Sequence, residues 1–305
     1  MNYLLIYIIV CKKITERIRG IVNKEIFNKY ENITYERINK VCKNVNTSVF
    51  PKVRLADIFS ITKSGISNEE YSFALKSHFD FTVYDNKTFL PLFSVEFDGK
   101  YHRTETQKFR DDIKNRLADR FDLPLLRINS RYLDTKYRNL DLLSWCVDVW
   151  FLAEAFYKAQ ENGTIPYDEP FSPESIYSIG DKKEKFPLFL SFEIRNEIRK
   201  LSEQKKIKSL IPNVWIGKDE KGNYYGVSWL YIDDEKGLIT VSGMKAQRFP
   251  ISESELLEEI MIFDLYEQLV EFLDNKRKSI LNQEISKRIN HFEKKYRLAI
   301  FSVGS

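Results

Sequence analysis

Hydrophobic and polar positions in the first half of the chain follow the periods of a hairpin, a helix and a strand. Residues 78–84 are rich in β-branched and aromatic side chains, and residues 89–97 form a second apolar run. The polar turn at residues 85–87 separates the two runs, so we predict a β-hairpin. Residues 106–121 carry apolar side chains at three- and four-residue steps, which predicts a helix, and the apolar run 123–128 predicts a buried third strand.

Further elements are predicted on the N-terminal side of this hairpin. Residues 12–43 follow a helical period, and Asn32 or Thr34 is a suitable N-cap for a second helix there. Pro51 interrupts any helix in residues 49–59, which therefore predict a strand and its edge.

The pattern changes after a long apolar helix that we predict over residues 140–160. Residues 161–185 contain several Pro and Gly and show no clear period, so we place a boundary there. Beyond it the pattern predicts a charged helix, an antiparallel meander of three strands and a long amphipathic helical region, at residues 192–208, at 214–217, 224–232 and 238–242, and at 253–297.

These elements predict three segments and an α/β fold. Residues 1–30 form an N-terminal apolar and helical segment, residues 31–160 a mixed sheet flanked by helices, and residues 161–305 a C-terminal α+β accessory region for binding a substrate or a partner protein. The apolar run at residues 3–10 is shorter than the about 20 residues that a membrane-spanning helix needs. We interpret it as a buried strand or helical turn, with a membrane-proximal anchor as the alternative.

Composition narrows the function classes. The 48 Lys and Arg residues exceed the 44 Asp and Glu residues by a formal charge of only +4. A protein that coats nucleic acid by bulk charge is far more basic, so contact with a polyanion would need a local patch. The three cysteines share no metal-ligand spacing and cannot all pair, which argues against a zinc ribbon and a disulfide scaffold. We therefore expect a cytoplasmic protein.

Carboxylates mark the predicted hairpin. Asp80 lies in its first strand, and Glu96 and Asp98 lie at the end of its second strand. Residues two apart share a face of a strand, and two carboxylates in so apolar a strand need a compensating cation. With Asp80 on the opposite strand, we predict that the three acidic groups converge, and their hard oxygen atoms suit Mg²⁺ or Mn²⁺. Possible cationic or acid–base neighbours follow in the sequence, namely Lys100, His102 and Lys114.

The order and spacing of these residues resemble the PD-(D/E)XK nuclease superfamily. The resemblance is carried by Asp80-Phe81, by the run from Ser94 to His102 that contains Glu-Phe-Asp-Gly-Lys-Tyr-His, by Arg110-Asp111-Asp112-Ile113-Lys114, and by Leu-Pro-Leu-Leu-Arg-Ile at 123–128. It is closest to the branch related to very-short-patch-repair endonucleases and extends over residues 30–135. It implies a restriction-endonuclease-like mixed sheet flanked by helices.

The resemblance also implies roles for individual residues. Asp80, Glu96 and the backbone carbonyl of Phe97 would be metal ligands, and Glu36 would complete the site, with Glu25 and Glu31 as rivals. This sequence departs from the superfamily pattern at two positions. Asp80 has no preceding proline, and Asp98 occupies the place of the usual lysine. Catalysis would then need Lys114 or His102 in addition to Asp98, and the predicted substrate contacts are Lys100, Arg110 and Arg127.

We therefore expect the protein to be a metal-dependent endonuclease. It would hydrolyse phosphodiester bonds, in DNA rather than RNA, using Mg²⁺ or Mn²⁺, within a restriction or anti-phage defence system. The C-terminal region would recognise substrate or a protein partner, and no membrane association is expected. The alternative is a degenerate nuclease fold that serves as a nucleic-acid- or protein-binding module, which the missing motif lysine motivates.

Overall fold

A four-stranded mixed sheet forms the first half of the protein. The computed structural model describes residues 27–99, 104–134, 141–171, 191–220, 222–249 and 252–302. The sheet has the order β1-β2-β3-β4, in which the first three strands are antiparallel and β4 runs parallel to β3. The strands are β1 (Thr47–Arg54), β2 (His78–Asp85), β3 (Pro91–Phe97) and β4 (Leu125–Ile128). The predicted hairpin, formed by β2 and β3, and the predicted third strand, which is β4, are therefore confirmed.

The helices of this half are α1 (Lys29–Cys42), α2 (Leu55–Ile58), α3 (Asn68–Lys76), α4 (Glu105–Arg120) and α5 (Leu142–Glu161), with a 3₁₀ turn at Ser130–Leu133. Helices α1 and α5 contribute to one apolar cluster with the sheet, and α3 and α4 contribute to a second. The predicted helices at 106–121 and 140–160 are thus confirmed within a residue or two. The predicted strand at 49–59 stops at Arg54 and continues as the single turn α2.

The start of α1 corrects the predicted N-cap. Asn28 is the N-cap, because its side chain accepts hydrogen bonds from the N–H groups of Tyr30 and Glu31. The Glu31 carboxylate accepts the Asn28 N–H in return, which completes a capping box. Asn32 and Thr34 lie inside the helix, so the prediction of either as the cap was wrong.

A five-stranded antiparallel sheet forms the second half, in the order β8-β7-β6-β5-β9. Its elements are α6 (Phe192–Glu203), β5 (Asn213–Lys218), β6 (Tyr224–Tyr231), β7 (Lys236–Met244), α7 (Glu253–Leu273), β8 (Ile280–Leu281), α8 (Asn282–Lys295) and β9 (Arg297–Ser302). The predicted meander is confirmed. The single helical region predicted over 253–297 was wrong, because the chain turns at Asn275, which has φ +58°, and forms β8 before α8 begins.

The two sheets share one apolar core. A single cluster of buried side chains includes Phe93 of the first sheet, Trp150 of α5 and Phe249 of the second half. Residues 246–249 also cover the outer edge of β4, where Leu125 N–H donates to the Arg248 carbonyl over 2.8 Å. The core therefore continues across the boundary that we predicted between residues 160 and 161.

The N-terminal apolar run at residues 3–10 lies outside the described residues, so its predicted placement stays a prediction. Within the ranges that the structure describes, no helix combines the length and the apolar character needed to cross a membrane.

Candidate functional site

The ends of β2 and β3 bring two carboxylates side by side. Phe81 is paired with Val95 in the antiparallel register, which sets Asp80 opposite Glu96. The Asp80 N–H donates to Glu96 Oε1 over 3.1 Å, and the Phe97 N–H donates to Asp80 Oδ2 over 2.9 Å. Each carboxylate is thus held by a backbone donor of the other strand. Of the three carboxylates predicted to converge here, Asp80 and Glu96 do converge.

Glu96 is buried and paired with Lys114. The glutamate is only 6% exposed, and the Lys114 Nζ lies 2.7 Å from both of its carboxylate oxygens. Burial raises the pKa of Glu96 to about 7, with the Asp80 charge acting in the same direction and Lys114 opposing it. Lys114 projects from α4, whose Ile113 and Leu117 are fully packed against the sheet. The structure therefore brings the predicted lysine to the predicted glutamate.

A second lysine, Lys52 of β1, binds the other carboxylate. Its Nζ lies 2.7 Å from Asp80 Oδ1 and 2.5 Å from Glu31 Oε1. Burial lowers the pKa of Lys52, but the hydrogen bonds to Asp80 and Glu31 outweigh burial and hold that pKa above its usual value. Lys52 has φ +52°, a conformation that costs a side-chain-bearing residue about 1–3 kcal/mol and that clusters at functional sites.

Arg127 organises the neighbouring acidic residues. It lies on β4 beside Glu96 in the parallel register, is 8% exposed, and donates from Nη1 to Asp98 Oδ1 over 2.9 Å. The same nitrogen lies 3.3 Å from Asp111 Oδ1, and Nε donates to Asn115 Oδ1 over 3.1 Å. Asp98 is therefore paired with an arginine rather than directed at Asp80. Arg127, predicted as a substrate contact, is occupied by these carboxylates.

Two other predicted residues that the structure describes, Glu36 and Arg110, do not contact the cluster. Glu36 is exposed on α1 and accepts a hydrogen bond from Asn32 over 3.2 Å, so the α1 glutamate in contact with the cluster is its rival Glu31. Arg110 is exposed on α4 and takes no part in the described contacts of Glu96. Lys100 and His102 lie outside the described residues, so their predicted roles stay predictions.

Two nearby residues were missed by the sequence reasoning. Lys52 stands across from Asp80 in the β1–β2 register, which pairs Pro51 with Phe81 and Val53 with Phe79. This register is a property of the folded sheet, so the sequence alone contains no signal for Lys52. His78 precedes Asp80 by two residues, and burial, followed by the charges of Lys52 and Lys114, lowers its pKa.

The carboxylates fit a hard divalent cation only as a site with two carboxylate ligands. No group of three or more His, Cys, Asp or Glu side chains converges as a metal site among the residues that the structure describes. Asp80 and Glu96 provide two carboxylates, and Mg²⁺ is commonly held by one or two carboxylates with water and phosphate oxygens as its other ligands. The donor set therefore fits a two-carboxylate site that substrate completes. The role of the Phe97 carbonyl as a further ligand stays a prediction.

An open cleft of about 760 Å³ lies between α4, the start of β4 and the segment 246–249. Arg127 lines it, and the backbone of Arg127 is held there by Gln247, which accepts its N–H over 2.9 Å and donates to its carbonyl over 3.0 Å. The second half of the protein therefore supports the strand that carries Arg127.

Residues 23–140 match the model of a family described as a protein of unknown function, DUF2726. The matched segment is less than half of the chain, and it includes Glu31, Lys52, Asp80, Glu96 and Lys114. No curated protein matches the chain, and no solved structure matches it.

Proposed function

We propose that the protein is a metal-dependent endonuclease that hydrolyses phosphodiester bonds in DNA. The observation that carries the proposal is the contact of Lys114 with Glu96 at 2.7 Å, with Asp80 fixed beside it by the Phe97 N–H. Two carboxylates and one lysine at a sheet edge are the groups that a metal-dependent phosphodiesterase needs. Their order along the chain also agrees with the PD-(D/E)XK pattern once Lys114 replaces the lysine that Asp98 displaces.

The fold supports the same assignment. A hairpin, a following helix and a parallel strand, with helices on both sides, is the arrangement implied by a restriction-endonuclease-like domain. We propose that residues 31–160 form such a domain. The proposed cofactor is Mg²⁺ or Mn²⁺, and Asp80 and Glu96 would hold it.

Each residue then has a role. A bound dication would supply Lewis-acid polarisation of a phosphate oxygen and activation of water. Lys114 orients the Glu96 carboxylate through both oxygens and places a positive charge where charge develops on the phosphate. Arg127 restrains Asp98 and Asp111, and the exposed Arg110 is available to DNA phosphates. His102 and Lys100 are retained as proposed acid–base and phosphate-binding residues.

A second candidate function is a catalytically degenerate module that binds nucleic acid or protein. Two observations favour it, namely the pairing of Asp98 with Arg127 in place of a motif lysine and the lack of a third converging ligand among the described residues. Under either candidate, the proposed role of residues 161–305 is to bind substrate or a partner protein, as in a restriction or defence assembly.

Incubation of the purified full-length chain with supercoiled plasmid tests the proposal. Mg²⁺, Mn²⁺ and a chelator are compared, with Glu96→Ala and Lys114→Met as site variants. Lys108→Met is the matched control, because Lys108 lies on the same helix and pairs with exposed Glu105, also at 2.7 Å. Metal-dependent nicking that is lost in both site variants and kept in the control supports the nuclease. A protein that binds plasmid but never cleaves it, whatever the metal, would favour the binding module.

A further inference from the structure

Lys52 contacts the oxygen of Asp80 that does not accept the Phe97 N–H. Asp80 Oδ2 accepts the Phe97 N–H, and Asp80 Oδ1 is bound by the Lys52 ammonium at 2.7 Å. Among the residues that the structure describes, Oδ1 is the oxygen without a backbone donor, and a cation that binds Asp80 through Oδ1 shares or takes over the oxygen that Lys52 contacts.

The placement of Lys52 is built into the fold. β1 is an edge strand of its sheet, and Pro51 stands immediately before Lys52, where the missing N–H is tolerated. Lys52 follows in the left-handed region with φ +52°, which Gly, Asn and Asp adopt more readily than Lys.

Glu31 provides a second anchor for the same ammonium. It lies 2.5 Å from the Lys52 Nζ, so Lys52 can leave Asp80 and still be held at the site. The Lys52 side chain is 29% exposed, so it is accessible to a large ligand. Glu31 itself is fixed by the capping box at the start of α1.

We propose that Lys52 exchanges partners during the reaction, leaving Asp80 when a divalent cation binds and contacting a phosphate oxygen of the substrate. The inference rests on the proposed function, because it requires the cation at Asp80 and Glu96. Before the cation arrives, Lys52 neutralises Asp80 and keeps the carboxylates together. Afterwards, two positive charges near one oxygen repel each other, and the incoming phosphate provides the negative charge that Lys52 has lost.

This exchange predicts opposite effects of one substitution on two equilibria. In Lys52→Asn, Mn²⁺ binding measured by calorimetry should be tighter by about tenfold or more. A cation within about 4–6 Å of a carboxylate lowers its affinity for a competing cation, the proton, by about one to three powers of ten, and Mn²⁺ competes with Lys52 in the same way. Binding of a short DNA duplex in Ca²⁺, measured by fluorescence anisotropy, should be weaker by about three- to tenfold, with a log–log salt slope reduced by about 1. The duplex is recovered afterwards and checked for cleavage.

Two further variants control the experiment. Lys52→Gly adopts φ +52° without strain, so it should repeat both effects if Lys52→Asn folds poorly. Lys200→Asn removes an exposed lysine that pairs with Glu197 at 2.8 Å in α6, and it should change neither equilibrium.

The outcomes separate this inference from the proposed function. Tighter Mn²⁺ binding together with weaker DNA binding supports the exchange. Weaker binding of both ligands, or unchanged binding of both, overturns it and leaves Lys52 as a structural ion pair. Tighter Mn²⁺ binding with unchanged DNA binding overturns the contact with phosphate. If the wild-type protein binds no Mn²⁺ at all, the proposed function itself fails.

Discussion

Two buried glutamates, one in each half of the protein, differ in what surrounds them. Glu96 in the first sheet is 6% exposed and Glu259 in α7 is 3% exposed, and burial raises the pKa of each to about 7. Glu96 has Lys114 on both oxygens and Asp80 alongside. Glu259 accepts the N–H of Ser191 over 2.5 Å and its hydroxyl over 2.8 Å.

The difference shows that burial and a raised pKa do not identify a functional carboxylate. The Ser191 donors belong to the start of α6, and Arg195 of the same helix lies 3.5 Å from Glu259, so Glu259 fastens one helix to another. The partner of Glu96 is a lysine, and beside this pair lie a second carboxylate, Asp80, and a second lysine, Lys52, in the left-handed backbone region. Glu259 also has a cation and a second carboxylate nearby, but Arg195 and Glu258 belong to the same link between α6 and α7. The lysines at Glu96 and Asp80 come from two separate elements, α4 and β1, and meet where two strands end.

The largest expected effect concerns the core that joins the two halves. Phe249→Ala should lower the free energy of unfolding by about 3–5 kcal/mol, because Phe249 packs between Phe93 and Trp150 and its removal leaves a cavity. Unfolding in urea, followed by tryptophan fluorescence and by circular dichroism, should show one transition shifted to lower denaturant. Two separated transitions in the wild-type protein would contradict a shared core.

The next effect sharpens the comparison of the two glutamates. Glu96→Gln should reduce metal-dependent plasmid cleavage by about 100-fold or more, since metal stabilisation is worth several kcal/mol and each 1.36 kcal/mol is a factor of about ten. Glu259→Gln, the matched change at a residue of equal burial, should leave the cleavage rate within about twofold. Equal losses in the two variants, measured on folded protein, would remove the distinction between them.

Much of this site could be predicted from the sequence because its residues lie in elements that local hydrophobic periodicity reveals. The two-residue period of β3 and the turn before it place Glu96 and Asp80 on neighbouring strands, and the helix after them carries Lys114. For the glutamate that completes the site, the sequence favoured Glu36 over its rival Glu31, and the structure brings Glu31 to the cluster. The capping box sets where the helix begins and therefore which glutamate faces the sheet.

The remainder depended on contacts between residues that are distant in the sequence. Strand β9 pairs with β5, about 80 residues earlier, so a local helical period over 253–297 could not reveal it. Lys52 was missed because its left-handed backbone conformation has no sequence signal in a lysine. The role of Gln247, which takes the place of a strand partner for Arg127, likewise appears only in three dimensions.

A smaller effect is expected in the pH dependence of stability. The pKa of Glu259 is raised from 4.5 to about 7 in the folded protein, so between these values the native state holds a proton that the unfolded chain releases. Its contribution is full below about pH 4.5 and is lost as the pH rises to about 7. Between pH 5 and 8 the unfolding free energy of the wild type should fall by about 1–3 kcal/mol relative to Glu259→Gln. A wild-type curve parallel to that of the variant would contradict the raised pKa.

The smallest effect tests whether the second half adds charge to the site. Lys245 is 72% exposed and its Nζ lies 3.7 Å from Asp98 Oδ2, whereas Arg127 holds the other oxygen of Asp98 at 2.9 Å. Exposed pairs contribute about 0–1 kcal/mol, so Lys245→Ala should leave the free energy of unfolding within about 0.5 kcal/mol of the wild type. DNA affinity in Ca²⁺ should stay within about twofold. A larger loss of affinity with unchanged stability would place Lys245 in contact with DNA and extend the site from the first half of the protein into the second.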